Sequence, residues 1–320
     1  MIAARDWKEY CLLDASDGER LELWGSHILI RPDPQVIWKG KKRHAGWKQP
    51  DASYKRSRAG GGSWNIRALP ESWEIGYREL KFQIKPMGFK HTGLFPEQAA
   101  NWDWFDGIIR RAGRPVSVLN LFAYTGGATI AAAAAGASVV HVDAAKGMVA
   151  QARRNAAISG LEGAPIRYIV DDCMKFLARE IRRGNKYDAV IMDPPSYGRG
   201  PGGEVWRLEE NVAELVEMAA RVLCQNPLFF LLNSYTTGLS PSAMGYLLHL
   251  VMIEKFGGRI EADEVGLPVA QTGAVLPCGA AARWTSVKQP RLQRGIGKAV
   301  WSDDNNSSKQ SQTRTEFLVR

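Results

Sequence analysis

The chain has 320 residues, 45% of them hydrophobic and 23% charged, with a net charge of +9. That is length for one sizeable core plus a smaller unit, and a composition outside the disordered and fibrous classes. Apolar runs such as 228–232 fall far short of the ~20 residues of a membrane span, and Asp6, Glu9 and Asp14 interrupt the stretch where a signal peptide would be apolar. The basic surplus favours a polyanionic partner. Cys11, Cys173, Cys224 and Cys278 form no CxxC pair and have no histidine cluster beside them. They predict reduced thiols in a cytoplasmic protein and no metal site.

Residues 1–86 form the first expected unit. Short alternating apolar runs at 21–23, 27–30, 36–38, 73–75 and 81–84 are broken by Gly and Pro, a pattern of short antiparallel strands. Within it, residues 38–58 set Lys39, Lys41, Lys42, Arg43, Lys48, Lys55, Arg56 and Arg58 against a single acid, Asp51, with Trp38, His44, Trp47 and Tyr54 interleaved. Lysine and arginine neutralise phosphates while aromatic rings stack on unpaired bases, so this loop is a candidate RNA-binding element; the alternative is a solvated surface loop.

The second unit, 87–288, begins with His91-Thr-Gly-Leu-Phe-Pro-Glu-Gln98 and a helix that ends near Gly113. Strands are then expected at 116–122, 138–143, 166–170, 187–192 and 228–233. Helices are expected at 127–135, 145–159, up to 183, at 209–223 and after Pro241. Continuous apolar strands alternating with helices predict an α/β fold: a doubly wound, mostly parallel sheet covered on both faces. Residues 289–320, rich in Ser, Gln and Asn, are expected to be a disordered tail.

Ligands of such sheets bind outside the carboxyl ends of the strands. The first strand runs into Asn120-Leu-Phe-Ala-Tyr-Thr-Gly-Gly127, where a glycine pair lets backbone approach a ligand closely. The loop lacks the third glycine of a dinucleotide cradle, so it suits a ligand without phosphate; taken alone it is also compatible with a plain tight turn. Asp143 ends the second strand, where a carboxylate accepts from both hydroxyls of a ribose, although an aspartate capping the next helix would look the same. Asp171 and Asp172 end the third, where one acid can take the exocyclic adenine N–H and the other is expected to serve only as a helix cap. After the fourth strand comes Asp193-Pro-Pro-Ser196. Two prolines remove two donors and stiffen the chain, which leaves rigid carbonyl acceptors open to a planar N–H-bearing group beside a methyl donor.

Tyr124-Thr-Gly-Gly127, Asp143, Asp171-Asp172 and Asp193-Pro-Pro195 resemble, in order and spacing, the class I S-adenosylmethionine-dependent methyltransferases. The upstream segment is similar to the Thr-Gly-x-Phe-x-Asp-Gln segment of the large-subunit ribosomal RNA methyltransferases that act on cytosine C5 or guanine N7. The resemblance covers about residues 85–287 and implies a seven-stranded Rossmann-like methyltransferase sheet, beside the small β-rich N-terminal domain read above, and S-adenosyl-L-methionine as cofactor. It also implies roles. Thr92, Phe95 and Gln98 belong to a segment that closes over the cofactor. Ala123, Tyr124, Thr125, Gly126 and Gly127 hold its methionine part, Asp143 and Ala144 its ribose, and Asp172 with Cys173 its adenine. Asp193, Pro194, Pro195 and Ser196 face the target base, with Asp193 also beside the cofactor. Glu97 receives no role.

One departure matters. Cytosine-C5 members carry a cysteine just past the fifth strand, because C5 is not nucleophilic until a thiolate adds to C6. Here that place reads Asn233-Ser-Tyr-Thr-Thr-Gly238. The four cysteines are expected to be inert, and the acceptor to be a base nitrogen of ribosomal RNA, guanine N7 first. Two alternatives stay open: a methyltransferase of a small molecule or protein, and a non-catalytic RNA-binding protein on the same fold.

Overall fold

A computed structural model of the chain describes residues 1–57, 61–199, 205–236, 238–286 and 299–302. A short strand, β1 (Ile2–Ala3), opens the chain, and β2 (Tyr10–Ser16), β3 (Glu19–Trp24), β4 (His27–Pro32), β5 (Ala52–Arg56) and β6 (Gly62–Ile66) follow as a five-stranded sheet in that order. Its neighbours are antiparallel except β4 and β5. A hairpin of β7 (Trp73–Tyr77) and β8 (Leu80–Ile84) completes this region. Four of these strands, β1, β2, β5 and β6, were not expected. In β2 the apolar alternation is broken by Asp14, which is buried at a register shift and accepts the Trp47 indole N–H at 2.8 Å. The run 36–38 is not a strand. It lies over the β2–β3 turn, where the Val36 and Trp38 carbonyls accept the Gly18 and Asp17 N–H groups.

The rest follows the expected alternation closely. In chain order it runs α1 (Ala99–Arg110), β9 (Ser117–Leu121), α2 (Gly127–Ala134), β10 (Ser138–Asp143), α3 (Lys146–Ile158), β11 (Ile166–Val170), α4 (Cys173–Arg183) and β12 (Ala189–Met192). A small hairpin, β13 (Tyr197–Arg199) and β14 (Val205–Arg207), precedes α5 (Leu208–Arg221) and β15 (Phe229–Ser234). Then α6 (Pro241–Leu248) continues through a π-helical turn into α7 (Glu254–Phe256), ahead of β16 (Arg259–Pro268), β17 (Val275–Thr285) and β18 (Ala299–Ser302). The seven core strands lie in the order β11-β10-β9-β12-β15-β17-β16, with only β17 reversed. Strand order therefore switches between β9 and β12, which opens a crevice at their carboxyl ends.

Two strands extend this core into a nine-stranded sheet: β1 pairs parallel to β16, and β18 antiparallel to it. The boundary expected at residue 86 is therefore crossed by the chain's first strand. It is crossed by the core as well, since Trp24, Leu29 and Phe82 join one apolar cluster with Trp102, Val118 and Ile191. Of the segment 289–320 expected to be a disordered tail, only Ala299–Ser302 lie among the described residues, and these four are ordered on the sheet edge instead. Arg58 of the basic loop lies outside the described residues. Strands β16 and β17 escaped the sequence because Glu261, Asp263 and Glu264 interrupt one and Gly279-Ala-Ala-Ala282 blurs the other. No helix among the described residues is long and apolar enough to cross a membrane.

The small sheet buries a charge network that faces the large one. Arg31 donates to both Glu22 carboxylate oxygens at 2.6 and 2.7 Å, the Tyr10 hydroxyl donates to Glu22 at 2.8 Å, and Arg20 lies between Glu22 and Asp33. Burial alone would raise the Glu22 carboxyl, but Arg20 and Arg31 outweigh it and bring the carboxyl down to about 2. Its stabilisation is therefore complete above the ordinary carboxylate range and is lost as pH falls towards 2. Arg31→Ala, which strands Glu22 in the interior, should cost about 3–5 kcal/mol in urea unfolding at pH 7. A loss under 1 kcal/mol would mean the network contributes nothing.

Candidate active site

The turn from β9 into α2 is held in an unusual backbone. Phe122 (φ 54°), Tyr124 (φ 49°) and Gly126 (φ 86°) are all left-handed, and for the two non-glycines this conformation costs about 1–2 kcal/mol each. Neighbours hold it. The Tyr124 N–H donates to Asp143 Oδ2 at 2.8 Å, the Ala123 N–H to the Val142 carbonyl at 3.0 Å, and Asn155 to the Thr125 carbonyl at 2.9 Å. Thr125 in turn donates to the Gly93 carbonyl at 2.6 Å, which fastens the 91–98 segment to the turn. A side chain at Gly126 would put a Cβ 2.8 Å from Ala152 Cβ, so α3 as well as φ requires glycine there.

A cleft of about 450 Å³, open solvent included, lies at the switch point. Phe95, Gln98, Ala123, Tyr124, Thr125, Gly127 and Asp193 line it, as expected from the sequence. Trp102, Asn120, Phe122 and Asn233 line it as well. Asn120 and Phe122 stand in the 120–127 loop and Asn233 opens the segment past the fifth strand, so each had a sequence signal of place, whereas Trp102 had none. Asn233 meets Asn101 across 132 positions, a contact that no local pattern encodes. Asn101 also donates to Gln98 Oε1 at 2.7 Å and accepts from Arg283 at 2.8 Å, while Gln98 donates to the Tyr235 hydroxyl at 2.8 Å. This buried relay locks α1 to the ends of β15 and β17.

The remaining expected residues stand around the cleft. Each Asp143 carboxylate oxygen already accepts one backbone N–H, from Tyr124 and from Ala145, which leaves one lone pair on each; burial raises its proton affinity. Ala144 is exposed. Asp172 is the acid that caps α4, accepting the Lys175 N–H at 2.8 Å, whereas Asp171 pairs with Arg179. Cys173 is buried beneath the turn, its sulfur accepting the Phe122 N–H, and burial drives its thiol upward. Thr92 is buried with its hydroxyl oxygen unpartnered.

The Asp193-Pro-Pro-Ser196 turn departs from expectation in one respect. Its carbonyls are not all open: the β13–β14 hairpin folds back, so that the Pro195 carbonyl accepts the Trp206 indole at 2.7 Å and the Ser196 carbonyl accepts the Leu208 N–H. The Ser196 hydroxyl accepts from Thr236 at 2.7 Å. Two acceptors have no partner among the described residues, the Pro194 carbonyl and the Asp193 carboxylate. Burial, reinforced by Glu97, raises the Asp193 carboxyl to about 7.

Cys278 stands on β17 just beyond the pairing of Ser234 with Ala280, at the end of β15. Burial and Glu97 push its thiol well up, and it donates to the Leu276 carbonyl. A shift in that direction disfavours the thiolate, the nucleophilic form. Cys224 lies beside Asp188, at the opposite end of the strands.

In the basic loop, Lys39, Lys41, Arg43, Lys48, Lys55 and Arg56 are exposed. Lys42 is committed to Glu19 and sits over the Trp47 ring, and Trp47 is itself tied to Asp14. Trp47 is thus fixed by its indole N–H, with Lys42 over one face of its ring. Tyr54 is buried against Trp64.

The sequence profile of the S-adenosylmethionine-dependent methyltransferase family matches residues 52–219. The SAM-dependent methyltransferase from Agrobacterium tumefaciens is 35% identical and superposes with a TM-score of 0.84, over 89% of this chain and 93% of that one. A SAM-dependent methyltransferase from Streptococcus mutans shares the fold at 18% identity and a TM-score of 0.67, over 88% and 76% of the two chains. The ribosomal RNA large subunit methyltransferase K/L of Chromohalobacter salexigens is 29% identical over 240 residues, 73% of this chain and 29% of its own length. That of Shewanella frigidimarina is 30% identical over 148 residues, 46% of this chain and 20% of its own length. The chain spans less than a third of these two curated relatives.

Asp193 makes a pH prediction with a definite sign. Its folded-state affinity for a proton is raised, so stability falls as pH climbs from the ordinary carboxylate range through about 7. Asp193→Asn should therefore gain thermal stability over the parent progressively from pH 4 to pH 8, as read by Tm. A difference independent of pH would contradict the raised affinity.

Proposed function

This chain belongs to the S-adenosylmethionine-dependent methyltransferase family, and from that premise we propose that it methylates a base nitrogen of ribosomal RNA in the cytoplasm. S-adenosyl-L-methionine is its cofactor, and the cleft fits that molecule. Its turn carries no pyrophosphate cradle, and Asp143 keeps one free lone pair on each oxygen for the two ribose hydroxyls. Tyr124 to Gly127 would hold the methionine part and the start of α4 the adenine. When bound, the cofactor supplies a methyl group on a positively charged sulfur.

The observation that carries the reading is the pair of unpartnered acceptors at the switch point, the Asp193 carboxylate and the Pro194 carbonyl. They suit a planar base held by its N–H groups, and no nucleophilic thiol stands with them. Guanine N7 was the first expectation. That atom bears no hydrogen, so two acceptors and a carboxyl poised near neutrality favour a nitrogen that does. The protein's residues orient the acceptor and exclude water, and the rate comes largely from positioning. The names of the large-subunit relatives support an RNA substrate. So does the exposed set Lys39, Lys41, Arg43 and Lys48, together with Arg56, which lies close enough to Lys90 to lower that lysine's proton affinity.

Nucleoside mass spectrometry of ribosomal RNA from a strain lacking this protein should show one methylated base missing; an unchanged profile overturns the ribosomal reading. In transfer of labelled methyl to that RNA, replacement of all four cysteines should leave the rate within about tenfold, or 1.4 kcal/mol of barrier. Asp193→Ala should lose orders of magnitude. A dead cysteine-free enzyme would establish a thiol mechanism instead. Reversing Lys41, Arg43 and Lys48 to Glu should weaken RNA binding and shrink the slope of log affinity against log salt by roughly 0.7–0.9 for each phosphate no longer neutralised. An unchanged slope would make the loop a solvated surface.

A further inference from the structure

Residues 87–91 close into a loop just ahead of the part of the chain that lines the cleft. The Met87 N–H donates to the His91 carbonyl at 2.8 Å, and the His91 N–H to the Gly88 carbonyl at 3.2 Å. Both ends of the loop touch the cleft wall. The Tyr124 hydroxyl donates to Met87 Sδ at 3.6 Å, and the His91 ring meets Tyr124 edge-on with centroids 6.3 Å apart. The small sheet grips the loop from the other side. Lys90 Nζ donates to the Pro32 carbonyl at 2.8 Å, the Lys90 carbonyl accepts from Arg31 Nη1 at 3.1 Å, and the Met87 carbonyl accepts the Trp64 indole N–H at 2.7 Å.

This anchored loop carries two successive non-glycine residues in the left-handed region, Phe89 (φ 55°) and Lys90 (φ 68°). Glycine alone adopts that backbone freely, and the loop's own glycine, Gly88, stands at neither strained position. The hydrogen bonds of Lys90 offset its strain. Nothing of the kind offsets that of Phe89, whose side chain is turned outward and leaves the residue 74% exposed. A single exposed apolar residue is ordinary on a protein surface. One kept exposed in a disfavoured conformation, by a loop fixed on both sides, points to a function. The surroundings are basic: residues 85–91 contain no acid, and Lys55 and Arg56 are exposed on β5, whose partner strand β6 packs against the loop.

We propose that Phe89 is a stacking residue for single-stranded RNA, its ring taking an unpaired base beside the target while Lys55 and Arg56 meet phosphates of the same strand. The proposal rests on the reading of RNA as the substrate and deepens it: the strand must be unpaired where it crosses this loop. Every base has a π-face that an aromatic ring can take, but a duplex hides those faces inside its stack. The rigid loop holds the ring in place before the strand arrives, so little freedom is lost on binding. A protein partner would call for a contiguous apolar patch, whereas Phe89 is flanked by Gly88 and Lys90.

Filter retention of ribosomal RNA from a strain lacking this protein, across a salt series, tests the proposal beside calorimetry with S-adenosylhomocysteine. Phe89→Ala should weaken RNA binding on the order of tenfold. The slope of log affinity against log salt should stay as it is, because a phenyl ring neutralises no phosphate. The loss should be absent on a fully paired RNA duplex, and Phe89→Trp, which keeps a ring, should bind as the parent does. Phe89→Gly should lose the same RNA affinity with a Tm at or above the parent's, since glycine is unstrained at this φ. Cofactor affinity should hold in all three variants. Unchanged RNA affinity in Phe89→Ala overturns the proposal, as does an equal loss on the duplex. A matching loss of cofactor affinity, or a fall in Tm in Phe89→Gly, would make the ring a support of the cleft wall and overturns it too. A parent that binds the cofactor but retains no RNA overturns the RNA reading itself, and this proposal with it.

Discussion

The turn between β9 and α2 stands in a conformation that its own residues disfavour, and the hydrogen bonds that hold it organise the rest of the site. Two non-glycine residues in the left-handed region cost about 1–2 kcal/mol each, which isolated chain would not sustain. Asp143 offsets this by taking the Tyr124 N–H, and Thr125 passes the constraint on by gripping the Gly93 carbonyl. An acid that the sequence marks as a ribose ligand is therefore also the residue that shapes the wall opposite. The strands supply the rigidity, and the turn is positioned against them.

The small β-rich region braces the segment that leads into the site. Its first strand belongs to the large sheet and its apolar residues share a core with α1 and β9. Its buried Arg31 donates to the Lys90 carbonyl at 3.1 Å, just before the 91–98 segment that lines the cleft. A buried ionic network is a poor source of net stability, because desolvation consumes most of the attraction. Here it serves placement. Glu22 holds both arginines on the side of the small sheet that faces Glu97, where their field acts without forming a direct pair.

At the strand ends the polar groups divide into two kinds. Asn101, Gln98, Asn233, Arg283 and Tyr235 satisfy one another and are rigid for that reason. Among the described residues the Asp193 carboxylate, Glu97 Oε2, the Thr92 hydroxyl and the Pro194 carbonyl are left without partners. A fold that places unsatisfied acceptors beside a fully satisfied relay has given up stability at one spot, and such spots are where ligands are met.

Much of this was legible in the residues themselves. Apolar strands at 116–122 and 228–233, the glycine pair, Asp143 and the proline turn all follow local rules: a strand needs continuous apolar residues to be buried on both faces, and glycine adopts a left-handed turn without strain. The order of those signals was enough to indicate the sheet, the cofactor and the end of the sheet that binds it. Local rules could not reach β16 and β17, whose charged and small residues make sense only beside β15. They could not show that Trp47 is spent on Asp14, that a hairpin consumes the Pro195 carbonyl, or that Asn101 meets Asn233. Nor could they show that burial and Glu97, almost a hundred residues away in the chain, raise the Asp193 carboxyl. Secondary structure and ligand turns depend on neighbours in the chain, whereas the proton affinity of a buried group depends on neighbours in space, and only the folded protein supplies those.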